Sequence, residues 1–183
     1  MASVFSSLPQ PPKWMSSKEI LDGLAEKASE PRKVTVAWTF IIYLHYLVLT
    51  YTRLNRHPNE VSRFVDAVIS REELTELVHR FVNGLGESDS GKSEIVSILT
   101  SEKGQEVDRR VARVLDWLCG INHLEYSKVD DAYSQTILGA AEIAEHYESD
   151  FAYLFPPDTE SISQTQFEAI IRDEFEDSAS EEL

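Results

Sequence analysis

Hydrophobic positions in this chain recur mostly with helical period. Over residues 17–28, Ile20, Leu21, Leu24 and Ala28 share one face, which predicts a short amphipathic helix closed by Pro31. Residues 34–54 are the most apolar stretch, with Arg32 and Lys33 before it and Arg53 and Arg56 after it. Within that stretch Thr35, Thr39, Tyr43, Tyr46, Thr50 and Arg53 recur at spacings of four and three, drawing one polar stripe down a helix. About 20 apolar residues suffice to span a bilayer. The stripe, the cost of placing His45 at mid-membrane and the amphipathic character of the later segments favour a central core or dimerisation helix instead, with no membrane span.

His57-Pro58 breaks the chain, and Asn59 is placed to cap a following helix. Val61, Phe64, Val65, Val68 and Ile69 then follow the i, i+3, i+4, i+7, i+8 pattern of one helical face. Ser70 with Glu73 makes a capping box, so a fresh helix is expected there. Its buried face would be Leu74, Leu77, Val78, Phe81 and Val82, with Gly84 as a C-cap. Beyond a Gly/Ser segment, residues 93–99 read as a short helix and residues 100–104 as a turn. Residues 105–119 form a longer helix whose apolar face is Val107, Val111, Val114, Leu115 and Leu118. Gly120 stops it. Two short β-like runs, 124–128 and 133–137, flank a turn at 129–132, and residues 138–148 open one more helix.

The Gly/Ser segment, GESDSGKS at 86–93, matches the phosphate-binding pattern G-x-x-x-x-G-K-[ST]. That motif works when a strand delivers the loop to a helix N-terminus. Here a helical pattern precedes it, no apolar strand ending in a magnesium-holding Asp follows, and Glu87 and Asp89 would set carboxylates beside the phosphates. A solvated loop with Ser93 capping the next helix is the better reading, and nucleotide binding is a distant alternative.

Composition narrows the chemistry. At 183 residues, 42% hydrophobic and 10% aromatic, the chain supports one globular core with appendages. One cysteine, Cys119, excludes an internal disulfide and a cysteine-rich zinc site, and fits a reducing, cytoplasmic setting. The five histidines fall in no metal-ligand spacing. No metal, cofactor or nucleophile–base arrangement stands out, so a non-catalytic protein is expected. Residues 1–16, with Pro9, Pro11 and Pro12, read as a disordered arm without the pattern of a secretion signal.

The net charge of −15 is unevenly spread. Residues 142–183 hold 13 acidic groups against Arg172 alone, which leaves the rest of the chain at −3. The acidity is therefore a property of the C-terminus and does not exclude nucleic-acid binding by the core. Residues 147–155 are too aromatic for a free linker and are expected to pack on the core or a partner. In the acidic tail, 156–183, Phe167, Ile170, Ile171 and Phe175 fall on one side of a potential helix that would dock in a basic, apolar groove.

Helix, turn, second helix, hairpin, helix is the element order of a winged helix. With Arg113-Val-Leu-Asp-Trp-Leu-Cys-Gly-Ile ending the second helix, then the hairpin and the Thr136-x-x-Gly139 step, residues 93–148 resemble the winged-helix domains of MarR- and PadR-type regulators and of non-catalytic adaptors. The resemblance covers about a third of the chain and is one of pattern. It implies a recognition helix at 105–119 presenting Arg109, Arg110 and Arg113, and a wing at 128–133 that carries Lys128. Glu106, Asp108 and Asp116 interleave the arginines, and Asp130 and Asp131 sit at the wing tip, which weighs against phosphate contact.

The expected fold is therefore mainly α, with a helical core or dimerisation region at 17–84 supporting the winged helix. The expected function is that of an adaptor or regulatory subunit binding protein partners, within a DNA-acting complex or as a homodimer. A DNA-binding transcriptional regulator is the alternative.

Overall fold

The computed structural model describes residues 18–27, 29–52, 56–87, 94–101 and 104–146. The chain is mostly helical with one small antiparallel sheet. Its helices are α1 (Lys18–Leu24), α2 (Arg32–Leu47), α3 (Arg71–Glu87), α4 (Glu94–Thr100), α5 (Gly104–Gly120) and α6 (Ile137–His146). The strands are β1 (Val68–Ile69), β2 (Leu124–Ser127) and β3 (Ala132–Gln135).

The core is built around α2, which α1, α3, α4 and α5 surround. From Ala37 to Tyr51 every residue is buried. Arg32–Tyr51 is long and apolar enough to cross a membrane, but 89% of that window is buried inside the protein. Of the polar stripe, Thr35, Thr39, Tyr43, Tyr46 and Thr50 are all buried. Side-chain bonds make this tolerable, since buried polar groups are costly only when unsatisfied. Thr50 Oγ1 donates to Tyr46 O at 2.9 Å and His45 Nδ1 donates to Ile41 O at 2.7 Å. α2 thus buries its apolar surface within its own chain.

After α2 the helix widens into a π-helical turn, Val48–Thr52. The helix expected to run from Asn59 through Ile69 is instead a short 3₁₀ turn, Val61–Asp66, followed by β1. Asn59 is not its cap: Glu60 precedes the turn and accepts from His57 N at 2.9 Å. Pairing with β3 overrides the helical pattern. Val68 lies opposite Ser134 and Ile69 opposite Tyr133, so Ile69 is buried while Val65 and Val68 stay exposed.

The capping box forms as expected, with Glu73 N donating to Ser70 Oγ at 3.0 Å and Ser70 N to Glu73 Oε2 at 2.9 Å. Gly84 does not end α3. The helix continues to Glu87 and buries Leu85, and that burial offsets the roughly 1 kcal/mol cost of a helical glycine. The apolar face of α5 is buried throughout, and α5 packs on α2, α3 and β2.

The sheet order is β1-β3-β2, with Leu124 opposite Gln135 and Ser127 opposite Ala132. Its β2–β3 turn places Asp131 at φ 48°, and Ser127 Oγ donates to Asp130 Oδ2 at 2.7 Å. Thr136 Oγ1 accepts from Gly139 N at 3.1 Å and donates to His123 O at 3.2 Å, which ties α6 to the start of the hairpin. Gly139 is required there, because a Cβ would lie 2.6 Å from the His123 carbonyl oxygen.

Candidate functional site

The residues after α1 lie against the outer side of α5. Leu21 and Leu24 anchor α1 in the core, and Pro31 starts α2, so Ala25, Glu26 and Glu30 are carried past the arginines of α5. Arg110 forms a two-bonded ion pair with Glu30, with Nη1 to Oε1 at 3.1 Å and Nη2 to Oε2 at 2.7 Å. The side chains of that pair are only 4% and 7% exposed. Thr35 Oγ1 adds a bond to Glu30 Oε1 at 2.6 Å, and the Arg110 guanidinium lies 5.4 Å from the centre of the Trp38 ring. Burial pushes the Glu30 carboxyl up, but the bonds from Arg110 and Thr35 and the Arg110 charge overcome it and hold it below its usual value.

Arg109 Nε donates to Glu26 Oε1 at 2.9 Å, Arg113 Nη2 stands 3.4 Å from Glu26 Oε2, and Arg113 Nη1 donates to the Ala25 carbonyl. The three arginines therefore do not form an open cationic face. Arg110 is a core group, and the other two share one carboxylate. Sequence spacing placed them together on α5. It could not show that Glu26 and Glu30, about 80 residues earlier, would pair with them.

The other side of α5 opens on a shallow groove of about 650 Å³ between α3, the start of α5 and the hairpin tip. Glu72, Glu76, Asp108 and Asp131 line it, with Arg71 and His79 as the cationic or titratable neighbours. His79 Nε2 bonds Asp108 Oδ1 at 2.7 Å. Lys128 is exposed in the hairpin turn beside Asp130 and Asp131. The groove repels a phosphate backbone more than it attracts one.

Phe167, Ile170, Ile171 and Phe175 lie outside the described residues, as do residues 88–93 of the GESDSGKS pattern. The element before that pattern is α3, a helix, so the strand-fed loop that a phosphate site needs is missing. Among the described residues, no group of three or more His, Cys, Asp or Glu is placed to hold a metal.

One cluster escaped the sequence reading. Arg56, noted above only as a flanking cation, is 3% exposed, and its Nη1 donates to Gln135 Oε1 at 2.7 Å. Gln135 Nε2 in turn donates to Tyr51 Oη at 2.8 Å and Tyr46 Oη at 3.2 Å. A buried arginine is rarely legible in sequence, because its partners come from another element 79 residues away. No family model matches the chain, and no curated protein and no solved structure matches it.

Proposed function

We propose that the chain is a non-catalytic adaptor or regulatory subunit, built on a winged-helix unit, that docks a protein partner. The order α4, α5, hairpin, α6 supports the winged-helix reading, as does the short strand β1 that extends the hairpin sheet beside α3. The observation that carries the functional choice is electrostatic. Arg110 is buried against Glu30, Arg109 and Arg113 are drawn to Glu26, and the groove beside the hairpin tip is acidic. A DNA-reading winged helix draws most of its affinity from cations facing phosphates. This arrangement suits a partner with a cationic surface instead.

Fluorescence anisotropy tests the choice. The full chain is titrated with random duplex DNA and, separately, with an arginine-rich peptide, at low and moderate salt. Salt-sensitive peptide binding that weakens in Glu72→Gln/Glu76→Gln, with no DNA binding at low salt, is expected. Salt-sensitive DNA binding that is lost in Arg109→Ala/Arg113→Ala would replace the adaptor by a DNA-binding regulator.

A further inference from the structure

Among the described residues, Arg56 is a buried cation without a counter-ion. Besides the Gln135 bond, its guanidinium sits 4.8 Å from the centre of the Tyr51 ring. Nε and Nη2 are fully buried and have no hydrogen-bond partner. Among the described residues, no carboxylate pairs with it. A guanidinium cannot escape by losing its proton, and an uncompensated buried charge is strongly disfavoured.

The surrounding groups deepen the imbalance. Gln135 uses its oxygen on Arg56 and its amide hydrogens on Tyr46 and Tyr51. Both phenols therefore keep their own hydrogens to donate, and burial holds both pKa values above the usual, so they stay protonated. What remains unpartnered among the described residues is the Arg56 Nε and Nη2 pair, with the two phenol O–H groups beside it.

The helix is shaped to assemble this set. Positions five apart on a regular α-helix point about 140° away from each other. Tyr46 and Tyr51 reach one amide nitrogen because the π-helical turn Val48–Thr52 widens the helix between them. Such turns recur at functional sites. The unsatisfied nitrogens, Nε and Nη2, form one edge of the guanidinium, the fork that receives both oxygens of a carboxylate in parallel bonds.

We propose that Arg56, with Tyr46 and Tyr51, is the binding site for a small carboxylate, seated bidentately on the Nε/Nη2 edge. It lies one residue from exposed His57, at the chain's exit from the core helix. A carboxylate there supplies the missing negative charge and the missing acceptors together. This site is separate from the α5 surface and does not depend on the docking function.

The test is thermal unfolding of the full chain in sodium acetate, against sodium chloride at equal ionic strength. Acetate should raise Tm saturably and beyond chloride. The increment should vanish in Arg56→Met and shrink several-fold in Tyr51→Phe, which retains the guanidinium and the ring. Saturation-transfer NMR on the acetate methyl group reads binding directly, so the result does not hang on the stability of Arg56→Met. Equal effects of acetate and chloride, or acetate binding that persists in Arg56→Met, overturn the proposal. So does the absence of any acetate effect on a chain that Arg56→Met destabilises, which would mean that a carboxylate of the protein itself occupies the fork.

Discussion

Replacing Arg110 by Met tests whether the contact between α5 and Glu30 is a structural clamp. In the native protein Arg110 and Glu30 hold each other through two bonds, at 3.1 and 2.7 Å, in a setting where their side chains are 4% and 7% exposed. Met is long enough to keep the stem packed near Trp38, so the change falls mainly on the charge. Glu30 is then left buried with Thr35 as its remaining side-chain donor at 2.6 Å. Stranding one partner of such a pair costs about 3–5 kcal/mol. For a chain of this size that corresponds to a Tm lowered by roughly 6–20 °C.

The second half of the cycle separates charge from packing. Arg110→Met/Glu30→Leu removes both charges and should recover most of the loss, because replacing a whole buried pair by apolar groups is often close to neutral. Urea unfolding of the wild type, both single variants and the double variant gives the coupling energy, provided the m-values agree. If Arg110→Met falls within about 1 kcal/mol of the wild type, the pair is solvated and the clamp is wrong. A double variant no better than the worse single variant would place the loss in packing and not in charge.

Gly139→Ala should lose about 1–3 kcal/mol by forcing α6 off the His123 backbone, whereas Gly84→Ala, with open space around it, should gain about 0.5–1 kcal/mol; a Gly139→Ala chain as stable as the wild type in urea would show that the close approach is not kept. Burial lowers the His45 pKa to about 4, so the unfolded chain takes up the proton first as pH falls. Stability should drop by about 3 kcal/mol between about pH 6.5 and pH 4, and His45→Leu should flatten that slope in pH-dependent urea melts. The Glu30 contribution has the same sign at lower pH: it is complete above the usual carboxyl range and lost as pH falls through the depressed native value. Burial, with Asp116 nearby, pushes the Cys119 thiol up, so iodoacetamide at mildly alkaline pH should label the native chain several-fold more slowly than the urea-unfolded one; equal rates would mean an open thiol.

The comparison between expectation and structure divides by the range of the interaction. The Ser70–Glu73 capping box, the apolar face of α5 and the hairpin are as expected, because each is fixed by residues within a few positions of one another, whereas α1 ends at Leu24, well before Pro31. Residues 61–69 misled because their period of apolar positions fits a helix, while β1 exists only through β3, more than 60 residues later. Gly84 misled because a stop signal worth about 1 kcal/mol yields to the burial of Leu85.

By itself, the sequence determined that this protein would be mainly helical around one long apolar helix, with a two-stranded turn near its end and its negative charge gathered at the C-terminus. Periodicity, caps and composition are local, so they are written in the chain. The tertiary structure alone decided which faces of those helices meet water. It buried the threonine–tyrosine stripe of α2, spent the arginines of α5 on Glu26 and Glu30, and carried Gln135 to Arg56. The reason is physical: a charge or hydroxyl takes its role from whatever packs against it, and those partners are set by the folding of distant segments onto one another.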